Sequence, residues 1–168
     1  MSPADMNRAD MDDAVTRAVE AAGIEAVVPH RGRMLLLDGL LAHDDDAVVV
    51  EAVIDADNPF ADAQGVPPWV GIEYMAQAIS AWAGCRAVSR GEQVCIGFLL
   101  GTRKYHGDAR PFAIGTRLRI EARREIFGDN GMGLFSCRIV EGDAERARAQ
   151  VSVFEPPDPA AFLQGGNA

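Results

Sequence analysis

Residues 69–91, WVGIEYMAQAISAWAGCRAVSRG, run for 23 positions without a proline and without two-residue alternation. Ile72, Met75, Ala76, Ile79, Trp82 and Ala83 recur at the helical period instead. Pro67 and Pro68 stand directly ahead, where proline suits a first helical turn, and Gly91 stands behind. The spacing predicts one long helix. It is crowded with Ala and Gly, which let neighbouring backbone approach closely, so the helix is expected to be mostly buried. A single buried helix needs a sheet to cover it, and the rest of the chain must supply that sheet.

It does so by pattern. RMLLLDGLLA (33–42) and AVVVEAVI (47–54) read as two strands joined by the acidic turn HDDD. DADNPFADAQGVPP is a loop rich in Pro, Asp, Asn and Gly. After the helix, VCIGFLLGTRKY is apolar enough for a central strand. TRLRIEARREIF alternates, with Leu118, Ile120 and Ala122 inward and Arg117, Arg119 and Arg123 outward. The turn GDNG, the strand MGLFSCRIV, the turn EGD and the strand ERARAQVSVF complete a meander. Ahead of all this, Ala14, Val15, Ala18, Val19 and Ala22 predict a short helix stopped by Gly23, after a frayed start over residues 1 to about 10. The expectation is an α+β fold, an antiparallel sheet wrapped around one long central helix. Residues 1–22 form an acidic, partly helical segment, 23–156 the domain, and 157–168 a tail begun by Pro156, Pro157 and Pro159.

Charge narrows the function. The net charge of -9 argues against a nucleic-acid partner, because phosphate binding needs a basic surface. Cys85, Cys95 and Cys137 are odd in number and form no CxxC pair, so they read as reduced thiols of a cytoplasmic protein. The acidic start ADMNRADMDD lacks the basic and apolar regions of a signal peptide. No apolar run approaches the roughly 20 residues of a membrane span, so no membrane insertion is expected.

Chemistry concentrates on the central helix. Glu73, Gln77, Ser80 and Gly84 are spaced four, three and four apart and so share one stripe. Packing does not need a polar seam there. A carboxyl at a helix start, favoured by the dipole and opposed by burial, can exchange protons with a substrate. Equally, Glu73 could be a plain N-terminal helix charge and Gln77 a solvated residue.

EYMAQA after PP, with VPHRGRMLLLDGL upstream and GFLLGTRKY…PFAIGTRLRIE downstream, resembles the hotdog-fold 3-hydroxyacyl-acyl-carrier-protein dehydratases of the FabA/FabZ type, and within them the ApeP-like branch linked to aryl polyene lipid biosynthesis. The resemblance spans roughly residues 27 to 155. It implies a hotdog fold, a homodimer or hotdog heterodimer with the acyl chain between subunits, and a fatty acyl thioester of acyl carrier protein or coenzyme A as substrate. It implies no metal and no organic cofactor. It places the family's helix carboxyl at Glu73 and the following glutamine at Gln77.

The family's usual base is a histidine in a GHFPG-like loop before the helix. Here that loop is NPFADAQGVPP, without histidine, and Pro68 stands where a glycine N–H would face the thioester oxygen. Gly71 and Val70 offer nearby N–H groups, and Tyr74 and Trp69 could line the acyl site. Of three histidines, His43 lies in the acidic turn and His106 after a strand. His30 is the candidate base opposite Glu73; the alternative is an anchor for the approach to the first strand. Arg103, Lys104 and Arg119 could dock an acidic carrier protein, or could belong to a solvated strand face. Three functions stay open: a dehydratase, a hotdog thioesterase, and a non-catalytic acyl-binding subunit of a heterodimeric dehydratase.

Overall fold

In the computed structural model, which describes residues 8–165, the central helix α2 runs Gly71–Ser89 behind a 3-10 turn at Pro68–Val70. Its close follows the sequence signal: Gly91 adopts φ 70°, and the Glu92 N–H returns to the Ala87 carbonyl at 2.8 Å. Six strands surround it: β1 Gly39–His43, β2 Ala47–Val53, β3 Phe98–Gly107, β4 Arg117–Phe127, β5 Met132–Glu141 and β6 Ala144–Phe154. All pairings are antiparallel, in the order β1-β2-β4-β5-β6-β3.

The inner face of this sheet packs on α2. Leu118, Ile120 and Ala122 of β4 are buried, while Arg117, Arg119 and Arg123 face out, as the alternation requires. From the helix, Tyr74, Met75, Ala78, Ile79, Ala81 and Trp82 complete the core. Large side chains buried this way contribute about 1.5–3 kcal/mol each. Trp82 meets the Phe135 ring edge-on at 5.0 Å, and its indole N–H donates to the Asp45 carbonyl at 3.1 Å, which pins the helix to the β1–β2 turn. Helix α1, Arg8–Ala22, buries Val15 and stops at Gly23 with φ 69°. Most of the frayed start falls outside the described residues.

Three expectations change. The first strand is shorter than 33–42: Gly32–Met34 is a 3-10 turn, and pairing starts only at Gly39. The polar partner of the 34–36 backbone is a helix side chain, described below, rather than a second strand. The β3 segment is an edge strand, not a central one, and Ile96, Phe98, Leu99 and Leu100 are exposed along it. The chain past Pro157 forms a short helix, α3 (Pro159–Gly165), whose Phe162 packs on Phe98 at 5.3 Å and Phe154 at 5.6 Å.

Arg146 of β6 is the buried cation among the described residues. It pairs with Asp108 at 2.9 Å and with Glu141, donates to the Arg110 carbonyl at 3.0 Å, and lies over the Phe112 ring. The Arg110 and Arg146 guanidiniums hold the Asp108 carboxyl down to about 2.

Candidate functional site

A cavity of about 140 Å³ opens beside the first half of α2. Glu73, Ala76, Ser80 and Ala83 form its helix side, with Ile79 and Trp82 behind them. Phe98, Leu99, Phe127, Val153 and Phe154 form an apolar opposite wall, and His30 closes the end near Glu73. Pockets for small molecules usually hold roughly 300–1,000 Å³, so this chain on its own encloses only part of a substrate. Its far wall includes the open edge β3.

The polar stripe of the helix divides into two flanks. Glu73 and Ser80 turn to the cavity; Gln77 and Gly84 turn to the segment 27–36. Gln77 is fully buried and all its amide atoms are used. Its Oε1 accepts the Leu36 N–H at 2.9 Å, and its Nε2 donates to the Met34 carbonyl at 2.8 Å and to Glu73 Oε1 at 2.9 Å. A glutamine suits this place because it both donates and accepts. One side chain thus ties the backbone ahead of β1 to α2 and fixes where the Glu73 carboxyl points. Gly84 has the matching steric reason: a Cβ there would overlap the Val27 carbonyl.

His30 sits on that same segment. Arg31 braces it, donating to the Val28, His30 and Glu25 carbonyls at 2.6, 2.7 and 3.0 Å. The His30 Nδ1 is buried without a hydrogen-bond partner. Burial lowers the imidazole below its ordinary value; Glu73 acts in the raising direction and Arg31 in the lowering one. No hydrogen bond joins His30 to Glu73 among the described residues, yet both line one cavity.

Other expected site residues lie elsewhere. The Val70 N–H is donated to Pro67 O at 3.1 Å and the Gly71 N–H to Pro68 O, so the 3-10 turn consumes both and neither is free for a thioester oxygen. Tyr74 is a core residue, not a cavity wall: its hydroxyl accepts from Asn58 Nδ2 at 3.0 Å, its ring meets Phe112, and burial pushes its phenol up to about 12. Trp69 is exposed and absent from the cavity. Arg103 and Lys104 sit on β3 while Arg119 sits on β4, three strands away, and Arg119 is engaged by Glu121 at 3.0 Å. They do not form one compact patch. Sequence reading missed the aromatic wall of Phe98, Phe127 and Phe154. It also missed Tyr105, whose hydroxyl donates to the Pro68 carbonyl at 2.8 Å and secures the turn before α2. The run of apolar residues on both faces of β3 was the available signal, and it was read as core. Among the described residues no group of three His, Cys, Asp or Glu could hold a metal, and no helix is long and apolar enough to cross a membrane.

One long helix wrapped by a six-stranded antiparallel sheet, with a carboxyl near the helix start over an apolar cavity, makes this a hotdog-fold protein. The family model of the ApeP dehydratases matches residues 22–164, and the chain belongs to the ApeP-like dehydratase family. The dehydratase heterocomplex ApeI:P from Xenorhabdus doucetiae is similar over 86% of this chain and 97% of the matched one, at 27% identity and TM-score 0.78. The Escherichia coli PaaI protein of the phenylacetic acid degradation operon is similar at 14% identity over 88% of this chain and 94% of that one, TM-score 0.54. A Staphylococcus aureus thioesterase is similar at 11% identity over 69% and 90%, TM-score 0.50. The last two share the fold. No curated protein sequence matches the chain.

Proposed function

We propose that this chain dehydrates 3-hydroxyacyl thioesters, carried on acyl carrier protein or coenzyme A, as one half of a hotdog dimer. The observation that carries the reading is that His30 and Glu73 face one apolar cavity, with the carboxyl held by Gln77. His30, kept neutral by burial, takes the C2 proton. The C2–H electron pair forms the C2–C3 double bond as the C3–O bond breaks. Glu73 in its acid form protonates the departing hydroxyl, and water leaves. Gln77 positions Glu73 and does not touch the substrate.

The dimer reading rests on β3. Its outer edge has no strand partner among the described residues, and Phe98, Leu99 and Leu100 are exposed there. An apolar open edge of this kind is a pairing surface. The loop 58–68 lacks a histidine, and the 27% identical relative is described as a heterocomplex; both favour a second hotdog chain as the partner over a second copy. An acidic carrier would have to span the sheet to meet exposed Arg103 and Lys104 on β3 together with Arg119 three strands away on β4.

The test incubates the purified protein, alone and with a histidine-bearing hotdog partner, with a 3-hydroxyacyl-carrier thioester. Enoyl product supports dehydration. Free carrier thiol instead would make the chain a thioesterase, and neither product a non-catalytic subunit. Glu73→Gln and His30→Ala should each abolish the enoyl product. If His30→Ala stays fully active with a partner whose own histidine is intact, the base belongs to the partner. Charge reversal at Arg103 and Arg119 should weaken carrier binding, more so at low salt.

A further inference from the structure

The cavity beside α2 does not end at Ala83. Ala83, Cys95, Phe127 and Glu155 also line a second cavity of about 450 Å³, which continues toward the C-terminal end of the helix. Its helix side is Ala83, Arg86, Ala87 and Arg90. Glu73 and Arg86 are thus the two ends of one furrow, 13 residues or about 20 Å apart along the helix axis. Between them the walls are mainly apolar, with Ala76, Ile79, Trp82, Phe127 and Phe154, and Ser80, Cys95 and Glu155 as the polar exceptions.

Arg86 is unusual among the arginines here. It is half-buried, with its guanidinium stacked 4.6 Å from the Trp82 ring centroid and 5.3 Å from that of Phe127. Its neighbour Arg124 is engaged by Asp46. Arg86 makes no ion pair and no side-chain hydrogen bond among the described residues. Stacking satisfies the face of a guanidinium but leaves its edge N–H groups unused. Glu155 and Glu92 lie near enough to act on Arg86 in the raising direction, against Arg90 and Arg124, but neither carboxyl reaches the guanidinium as an ion pair. Desolvation acts on the guanidinium as well. A partly desolvated cation with idle donors at the end of an apolar furrow is set up for an acceptor that arrives with the ligand.

We infer that Arg86, seated on Trp82 and Phe127, forms a distal subsite that recognises an anionic or hydrogen-bond-accepting group at the far end of the acyl chain. The inference rests on the reading of Glu73 and His30 as the reacting end. The acyl chain fits the furrow better than the carrier's pantetheine arm does, because that arm bears several amides and the mainly apolar walls between Glu73 and Arg86 offer them only Ser80 and Glu155 as partners. The substrate class is therefore a 3-hydroxyacyl thioester whose distal end carries a carboxylate or comparable acceptor.

The experiment uses the dimer that turns over the methyl-ended substrate. Thioesters of one chain length, ending in methyl or in carboxylate, are compared on the carrier protein and on N-acetylcysteamine, which has no phosphate. A charge-assisted hydrogen bond predicts a preference of about tenfold or more in kcat/KM for the carboxylate end on both thiols. Arg86→Met should bring that ratio close to one; Arg86→Lys should keep part of it; Arg123→Met, an exposed strand arginine, should leave the ratio as it was. Equal use of both ends by the wild-type protein overturns the inference whatever the variants do. So does a preference that survives Arg86→Met, or an Arg86 effect confined to the carrier thioester, which would assign the guanidinium to the carrier's phosphate. If no thioester is dehydrated, the reading of Glu73 and His30 fails separately. Calorimetric binding of the free dicarboxylic and monocarboxylic fatty acids then decides the subsite, with the same tenfold ratio expected and its absence overturning it.

Discussion

Replacing Gln77 with leucine tests whether one buried amide couples the segment before β1 to the central helix. Leucine keeps roughly the volume but removes three hydrogen bonds, to the Leu36 N–H, the Met34 carbonyl and Glu73. Their costs differ with location. Leu36 is 6% exposed, so its N–H cannot turn to water and contributes about 1–3 kcal/mol when orphaned. Met34 is 47% exposed, so its carbonyl can be rehydrated and contributes little. The apolar side chain recovers some free energy in the core. The net loss should be about 2 kcal/mol. In urea, with an m-value of roughly 2 kcal/mol/M, that lowers the midpoint by about 1 M at unchanged slope, read from the fluorescence of buried Trp82. Gln77→Glu separates the geometry from the volume. It retains an acceptor for Leu36 but faces Glu73 with a second carboxylate, and two adjacent carboxyls resist ionising together. The folded variant then binds more protons than the unfolded chain, so its stability should fall as the pH rises above the carboxylate range. A Gln77→Leu loss below about 0.5 kcal/mol, or a Gln77→Glu variant with the wild-type pH profile, would refute the coupling.

Other outcomes follow from single features. The folded His30 lies below its unfolded value of 6.5, so the stability it contributes is complete above that pH and is lost as the pH falls through and below it; His30→Gln should flatten the acid side of a stability profile taken from about pH 7.5 to 5, and an unchanged profile would contradict the burial of the imidazole. Arg146→Met should cost about 2–3 kcal/mol in thermal or urea unfolding, less than the 3–5 of a fully buried pair, because Asp108 and Glu141 are partly exposed and can be rehydrated; a loss under 1 kcal/mol would make the network dispensable. Burial pushes the Cys85 and Cys137 thiols up to about 12, so a maleimide should label Cys95 alone in the folded protein. Since Cys95 lines both cavities, a bound long-chain acyl ligand should slow that labelling, and unaltered kinetics would place the ligand elsewhere.

The fold was legible wherever one residue's neighbours on the chain decide its fate. The 3.6-residue spacing of Met75, Ile79 and Trp82 and the strict alternation of Leu118, Ile120 and Ala122 each need only local pattern, and both elements formed as read. Position in the sheet was not legible. VCIGFLLGTRKY is apolar because β3 borders a cavity and an open edge, and a central strand would carry the same letters. The segment after His30 was misjudged for a related reason. Its apolar residues suit a strand, but a glutamine 41 positions from Leu36 takes its hydrogen bond. Glu73, singled out by its place on the helix stripe, and His30, singled out among three histidines, do line one cavity. The idle guanidinium of Arg86 could not be singled out, because three-dimensional packing alone shows that its neighbours leave it unpaired.

The open β3 edge also bears on how the chain must be produced. Until another strand covers it, every copy presents a run of idle main-chain hydrogen-bonding groups flanked by Phe98, Leu99 and Leu100. Copies whose edge stays uncovered would pair wrongly with each other and accumulate as aggregate. On the heterodimer proposed above, matched synthesis of the two chains would help keep the protein folded, and the yield of material from a single-chain expression should rise when the partner is co-expressed.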